Sequence, residues 1–336
     1  METNKAGKNP IYQDRRRILI VLGVFLLLGG IAVGLLAPLE MYCFYLFSAG
    51  GRFSYEGFGF GSFMFGNIAA QIAGYYLIAA VLIPLGIGHI RLRRWARTLT
   101  LTLSWAWLVI GAPIVLLAAF ILLGSKDLGL PAALAALALL ALSYLALPGL
   151  VIRFYGGANV LRTFEAGDSK KHGIEEIPQP VLVLAALFVF FTVMMHLLIL
   201  FNGIYPAFGV FLYGLPGIIM IDITIACLLC LTWGVLQRRP WAWWGATILW
   251  GLFTLSLIIT WLSTGYPQLL SGLAFPAREL DMLDGIPLQG FHLAILTGIP
   301  CLITWIVAVS SRRYFHWAVI SDNPHPDPIT LCRKNR

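Results

Sequence analysis

Eight apolar runs separated by short polar stretches set the pattern of this chain. They cover roughly residues 18–38, 67–90, 98–123, 131–152, 180–202, 215–236, 241–263 and 289–311. A helix needs about 20 predominantly apolar residues to cross a bilayer, and these runs reach that length. They lack the strict alternation of a membrane β-barrel. Hydrocarbon offers no partner for backbone N–H and C=O groups outside the segment itself, so each run is expected to be helical. The pattern predicts an all-α integral membrane protein with about eight transmembrane helices. Pro84, Pro113 and Pro300 fall inside runs and predict kinks.

Composition removes the soluble alternative. The chain is 59% hydrophobic and 11% charged, against about 25% charged in ordinary soluble domains. The first run follows Lys5, Lys8 and Arg15–Arg17, as a signal peptide would. It is longer than a usual signal core, and Ala37-Pro38-Leu39-Glu40 is a poor cleavage site, so it is expected to remain as the first span.

Charge decides orientation. Cytoplasmic loops of membrane proteins carry the excess of Lys and Arg. If the N-terminus is cytoplasmic, that side holds residues 5, 8, 15–17, 91, 93, 94, 97, 153, 162, 170, 171, 238, 239, 312, 313, 333, 334 and 336. These are 20 of the 23 basic residues, leaving only Arg52, Lys126 and Arg278 outside. Both termini are therefore expected in the cytoplasm, in a multi-pass protein of a bacterial inner membrane. The net charge of +8 is accounted for by topology and lipid headgroups, and no nucleic-acid partner is expected.

Two basic turns resemble each other. Arg91, Arg93, Arg94, Trp95 and Arg97 follow a run ending in Gly88; Arg238, Arg239 and Trp241 follow one ending in Gly234. Arg94-Trp95-Ala96 matches Arg239-Pro240-Trp241-Ala242 with one inserted proline. These residues are expected to be interfacial anchors. The fourth and eighth runs also end alike, in Arg153-Phe154-Tyr155 and Arg313-Tyr314-Phe315. Together these suggest two four-helix halves, 1–177 and 178–311, inserted the same way as a parallel repeat. Residues 312–336 would form a cytoplasmic tail. The loop 153–179 is expected to carry a short interfacial helix.

Chemistry-bearing residues are few. Asp222 is the one acid inside any expected span, and a carboxylate there is a functional candidate by default. His196 lies at a similar depth one span earlier, and His292 near the outer end of the last. The three are expected to form an intramembrane polar cluster in the outer half. It could serve proton-coupled or small-solute transport, or staple helices as a structural bond. His196 and His292 could alternatively ligate a haem b, which needs two facing imidazoles. Cys227 and Cys230 lie mid-span, where small apolar packing is expected rather than thiol exchange. Glu279, Asp281 and Asp284 read as a solvated amphipathic turn rather than a cation site. The aromatic- and glycine-rich segment 39–66, with Glu40 and Glu56, reads as an interfacial belt or as a surface for a membrane-protein partner. There is no P-loop, GxSxG or HExxH motif, and no catalytic residue, metal site or cofactor is assigned. The leading expectation is a scaffold or accessory subunit in the lipid bilayer without hydrolytic or redox chemistry. A transporter is second and a haem redox protein third.

Overall fold

A computed structural model describes residues 13–54, 57–124, 129–273, 275–286 and 288–315. Lys5, Lys8, Tyr55, Glu56, Lys126, Cys332, Arg333, Lys334, Arg336 and the rest of the tail beyond 315 lie outside the described residues. In chain order the elements are α1 (Arg16–Phe47), α2 (Phe63–Ile90), α3 (Arg94–Gly124) and α4 (Leu130–Gly156). Then follow α5 (Ala158–Gly167), α6 (Gln179–Ile199), β1 (Tyr205–Ala207), β2 (Val210–Leu212), α7 (Gly214–Leu236) and α8 (Pro240–Ser263). The short α9 (Tyr266–Gly272) and α10 (Ala277–Asp284) precede α11 (Gly290–Ser310). Eight helices are long and apolar enough to cross a membrane: α1–α4, α6–α8 and α11 with its terminal turn. Arg15 and Phe315 lie at the same face of the bundle as the two arginine turns, called here the basic face. Arg15 N–H reaches Thr163, and Arg312 stacks over Trp243 near the start of α8.

The first helix departs most from expectation. It passes through Pro38 and runs to Phe47, with Glu40 inside it. Proline removes one hydrogen bond, but the residues after it contain no helix-stopping glycine until Gly50, so the helix resumes. Its 32 residues span about 48 Å, well beyond a hydrocarbon core of about 30 Å. α1 and α2 meet at backbone distance. A Cβ on Gly23 would lie 2.9 Å from the Gly86 carbonyl, and one on Gly86 would lie 2.6 Å from the Leu27 nitrogen. Small residues at such positions let helices associate by close packing where no hydrophobic drive exists.

The centre of the bundle is formed by α3, α6, α8 and α11. Phe188 of α6 stacks on Trp250 of α8 at 5.7 Å, inside a cluster that also holds Leu184, Ile221 and Cys301. α4 is peripheral. One turn of it, Leu142–Ala146, widens to a π-helix, which seats Tyr144 flat on Trp107 at 5.2 Å.

The two arginine turns have one geometry. Arg93 N–H donates to Gly88 O and Arg239 N–H to Gly234 O; Ala96 N–H donates to Arg93 O and Ala242 N–H to Arg239 O. Leu92 (φ 50°) and Arg238 (φ 56°) occupy the left-handed region at the same place. The rings of Trp95 and Trp241 fold back onto Gly88 and Gly234, where any Cβ would fall within 2.9 Å of them. The register is unbroken, which corrects the expected inserted proline: Arg93 corresponds to Arg239, and Pro240 takes the place of Arg94. Proline is suited there because it occupies the first turn of α8, where its missing N–H has no partner to lose.

The link between α6 and α7 is a β-hairpin, which the sequence pattern did not disclose. It is wedged between α7 and α8 at the end opposite the basic face. Its two-residue turn, Phe208-Gly209, has φ of 44° and 105°, as primed hairpin turns require. One face of α8 holds it. Ser256 Oγ accepts Phe208 N–H at 2.9 Å and donates to Pro206 O at 3.0 Å. Thr260 accepts Gly209 N–H at 3.0 Å, and Thr264 donates to Gly209 O at 3.0 Å. Ser256 precedes the end of α8 by seven residues, so the hairpin enters about 10 Å along the helix.

At the same end, Glu279 corrects the expectation of a solvated turn. It is buried, and its carboxylate accepts Phe63 N–H at 2.7 Å and Met64 N–H at 3.0 Å. Ser62 Oγ accepts Phe65 N–H at 3.3 Å. Three orphan amides of the first turn of α2 are thus satisfied, with negative charge at the helix N-terminus. Asp281 and Asp284 remain exposed. Gly57, at φ +93°, abuts Pro276, whose Cγ would lie 2.6 Å from a Cβ. The aromatic segment before α2 folds on itself, with Phe44 and Phe65 5.2 Å apart and Phe58 and Phe65 6.0 Å apart. Tyr42, Tyr45, Phe53 and Phe60 stay exposed.

Glu279→Ala should lower stability by about 1–2 kcal/mol, the scale of a lost helix cap, and Asp281→Ala by less than about 0.5 kcal/mol. Thermal unfolding in detergent is the check; equal midpoints for the two variants would contradict the cap.

Candidate functional site

Asp222 and His196 face outward from the bundle. Ile221, just before Asp222, and Met195, just before His196, belong to the same buried cluster. Each following residue turns about 100° around its helix, which brings Asp222 and His196 to the outer rim of the α6/α7 seam, where both are exposed. Their depth is similar, because Met195 shares a void with Thr224 and Leu228 of α7. His196 Nδ1–H donates to Thr192 O at 2.8 Å, leaving Nε2 toward the outside. No hydrogen bond or ion pair to Asp222 occurs among the described residues.

His292 stands apart from this pair. Its Nδ1 accepts Gln289 N–H at 3.1 Å and caps α11. Its ring lies 5.1 Å from Phe120 near the end of α3. No ring contact or hydrogen bond joins His196 and His292 among the described residues. The void lined by Met195, Thr224, Leu228, Leu249, Trp250 and Phe253 is too narrow for water. A wholly apolar hollow of about 260 Å³ lies between α8 and α11, along Ile258, Phe291 and Gly298. Neither includes Asp222, His196 or His292. Cys227 and Cys230 face outward rather than packing inside. Among the described residues no group of three or more His, Cys, Asp or Glu side chains is placed to hold a metal ion.

The basic face holds a second constellation that sequence reasoning missed. His89 is fully buried at the end of α2. Its Nδ1–H donates to Leu85 O at 2.7 Å, and its ring meets Tyr155 and Phe164 edge-on at 5.5 and 5.7 Å. Val235 occupies the equivalent place in the second turn, also fully buried. The signal was present in Gly88-His89, a histidine inside a span beside a recognised turn. The anchors divide. Arg94 Nε donates to Glu175 at 2.7 Å and its head group lies 3.6 Å from Glu165. Arg97 donates to Tyr155 O at 3.0 Å, and Arg93 pairs with Asp168 at 3.6 Å. Arg91 and Arg239 are exposed, as is Trp241, whereas Trp95 is half-buried. These bonds seat α5 over the first turn, with Gly167 tight against Leu92; Arg239 of the second turn reaches Gln237, at 3.3 Å.

Asp168 is the keystone of that cover. His172 Nε2 lies 3.0 Å from its carboxylate, and this hydrogen bond, ahead of burial, holds the Asp168 carboxyl below the ordinary carboxylate range. The side chain is 3% exposed, and burial alone would raise its pKa, so the hydrogen bond outweighs burial. A depressed folded pKa contributes stability that is present above the unfolded value of about 3.9 and is lost as pH falls through the folded value. Arg93 is 46% exposed, which limits the gain. Asp168→Asn should therefore speed proteolysis within 158–176 at pH 7 by no more than about fivefold, about 1 kcal/mol. Wild type and variant should converge as pH falls through the folded value, below the ordinary carboxylate range; a difference that persists once the carboxyl is protonated would contradict this role.

The chain matches no protein-family model, no curated protein and no solved structure.

Proposed function

We propose that this chain is a scaffold or accessory subunit of a bacterial inner membrane, binding other membrane segments rather than carrying hydrolytic or redox chemistry. The basic face is read as cytoplasmic by the positive-inside rule, with the start and end of the described chain on that side. The gap-free match of the two turns supports duplication into the halves 1–177 and 178–311. The halves would be related by an axis along the membrane normal.

Asp222 carries the functional reading. A carboxylate at membrane depth costs several kcal/mol unless paired or protonated, and intramembrane acids normally face the bundle interior. This one faces out, with no partner among the described residues, so the group that satisfies it is supplied from outside the chain. A transporter would instead turn its carboxylate toward an internal path. The nearby His196 shares the outward rim and extends the same polar patch.

Asp222→Asn should leave insertion and thermal stability within about 0.5 kcal/mol of wild type while weakening assembly in native-state mass measurements from lipid nanodiscs. Asp222-dependent proton flux into proteoliposomes of the wild-type chain would overturn this reading in favour of transport.

A further inference from the structure

The scaffold reading leaves the partner open, and the following inference rests on it. We propose that the partner at the α6/α7 seam is a second copy of this chain, joined by reciprocal pairs between Asp222 of one protomer and His196 of the other.

Two copies of one chain insert with the same orientation, because the same basic face directs both. A closed pair then has its two-fold axis along the membrane normal, and each contact occurs twice. Under that symmetry a residue meets only groups at its own depth. Asp222 and His196 share a depth and flank one seam, so the surface is complementary to itself. A foreign helix would have to supply both an acid and a base at one level.

The chemistry of the pair is complete. His196 Nδ1–H is committed to Thr192 O at 2.8 Å, which leaves Nε2 as the free nitrogen. One proton between Nε2 and the partner's carboxyl makes one hydrogen bond, either acid to imidazole or imidazolium to carboxylate. No group is left orphaned in either form, and each pair is neutral overall. The surroundings are dry and apolar: Val189, Ile219 and Ile223 are exposed beside the two polar groups, as is Ala226. An interhelical polar contact in lipid contributes modestly, but it fixes register.

The test uses the full chain in lipid nanodiscs or liposomes, with dimer fraction read by single-molecule photobleaching. Wild type should dimerise. Asp222→His alone presents only imidazoles and His196→Asp alone only carboxylates, so each should dimerise at least tenfold more weakly. Mixed together, they recreate both pairs, and heterodimers should form as in wild type. That rescue also shows that both variants fold. Single variants that dimerise like wild type would overturn the inference, and so would a mixture that stays monomeric. A wild-type chain that is monomeric, but holds a different membrane protein in an Asp222-dependent way, would overturn the dimer and leave the scaffold reading standing. Loss of both kinds of association would remove the two together.

Discussion

Backbone polar groups have no solvent in hydrocarbon, and the less regular parts of this protein answer to that constraint. The hairpin between α6 and α7 is irregular backbone entering alongside a transmembrane helix. Such backbone is tolerated only where protein satisfies it, and here Ser256, Thr260 and Thr264, four residues apart on one face of α8, pair with the backbone of residues 206–209. The N-terminus of α2 is satisfied by Glu279 from the far end of the sequence. That bond ties the first half to the second at the end opposite the basic face. The same demand makes Asp222 conspicuous, since it has no such answer among the described residues.

The two arginine turns show how one local geometry can be put to different uses. Glycine, a left-handed residue, arginine and a tryptophan folded back on the glycine recur in one register at 88–96 and 234–242. A left-handed non-glycine residue costs roughly 1–3 kcal/mol, and it recurs at the same place of both turns, at Leu92 and Arg238. Around the first turn, Arg93 and Arg94 bind α5 and the segment beyond it, and Arg97 binds the end of α4. Around the second, Arg239 stays exposed and reaches Gln237. The two turns therefore share a backbone geometry and differ in the side chains bound around them.

What the sequence made legible follows from period and charge. Apolar run length located eight helices, and α1 departs most in its bounds, because the helix continues through Pro38 and past the polar Glu40. The repeated Arg-Trp-Ala turn was visible, although Pro240 obscured its register. What escaped were contacts between residues distant in sequence. Glu279 looked solvated because nothing local shows that the start of α2, 216 residues away, sits against it. The hairpin hid in a short link, since three-residue strands leave no alternation to read. His89 was overlooked because the turn beside it was read only as an anchor. Periodicity alone does not say which way Asp222 and His196 face on helices apolar all round. His292 caps α11 against Phe120, away from their seam.

The account turns on that outward direction. A benzophenone side chain placed at Ile219, one turn from Asp222 on the same exposed side of α7, would report what covers the face when photolysed in native membranes. The account predicts adducts of twice the chain mass that link two copies. Adducts confined to the chain's own helices or to lipid would contradict it.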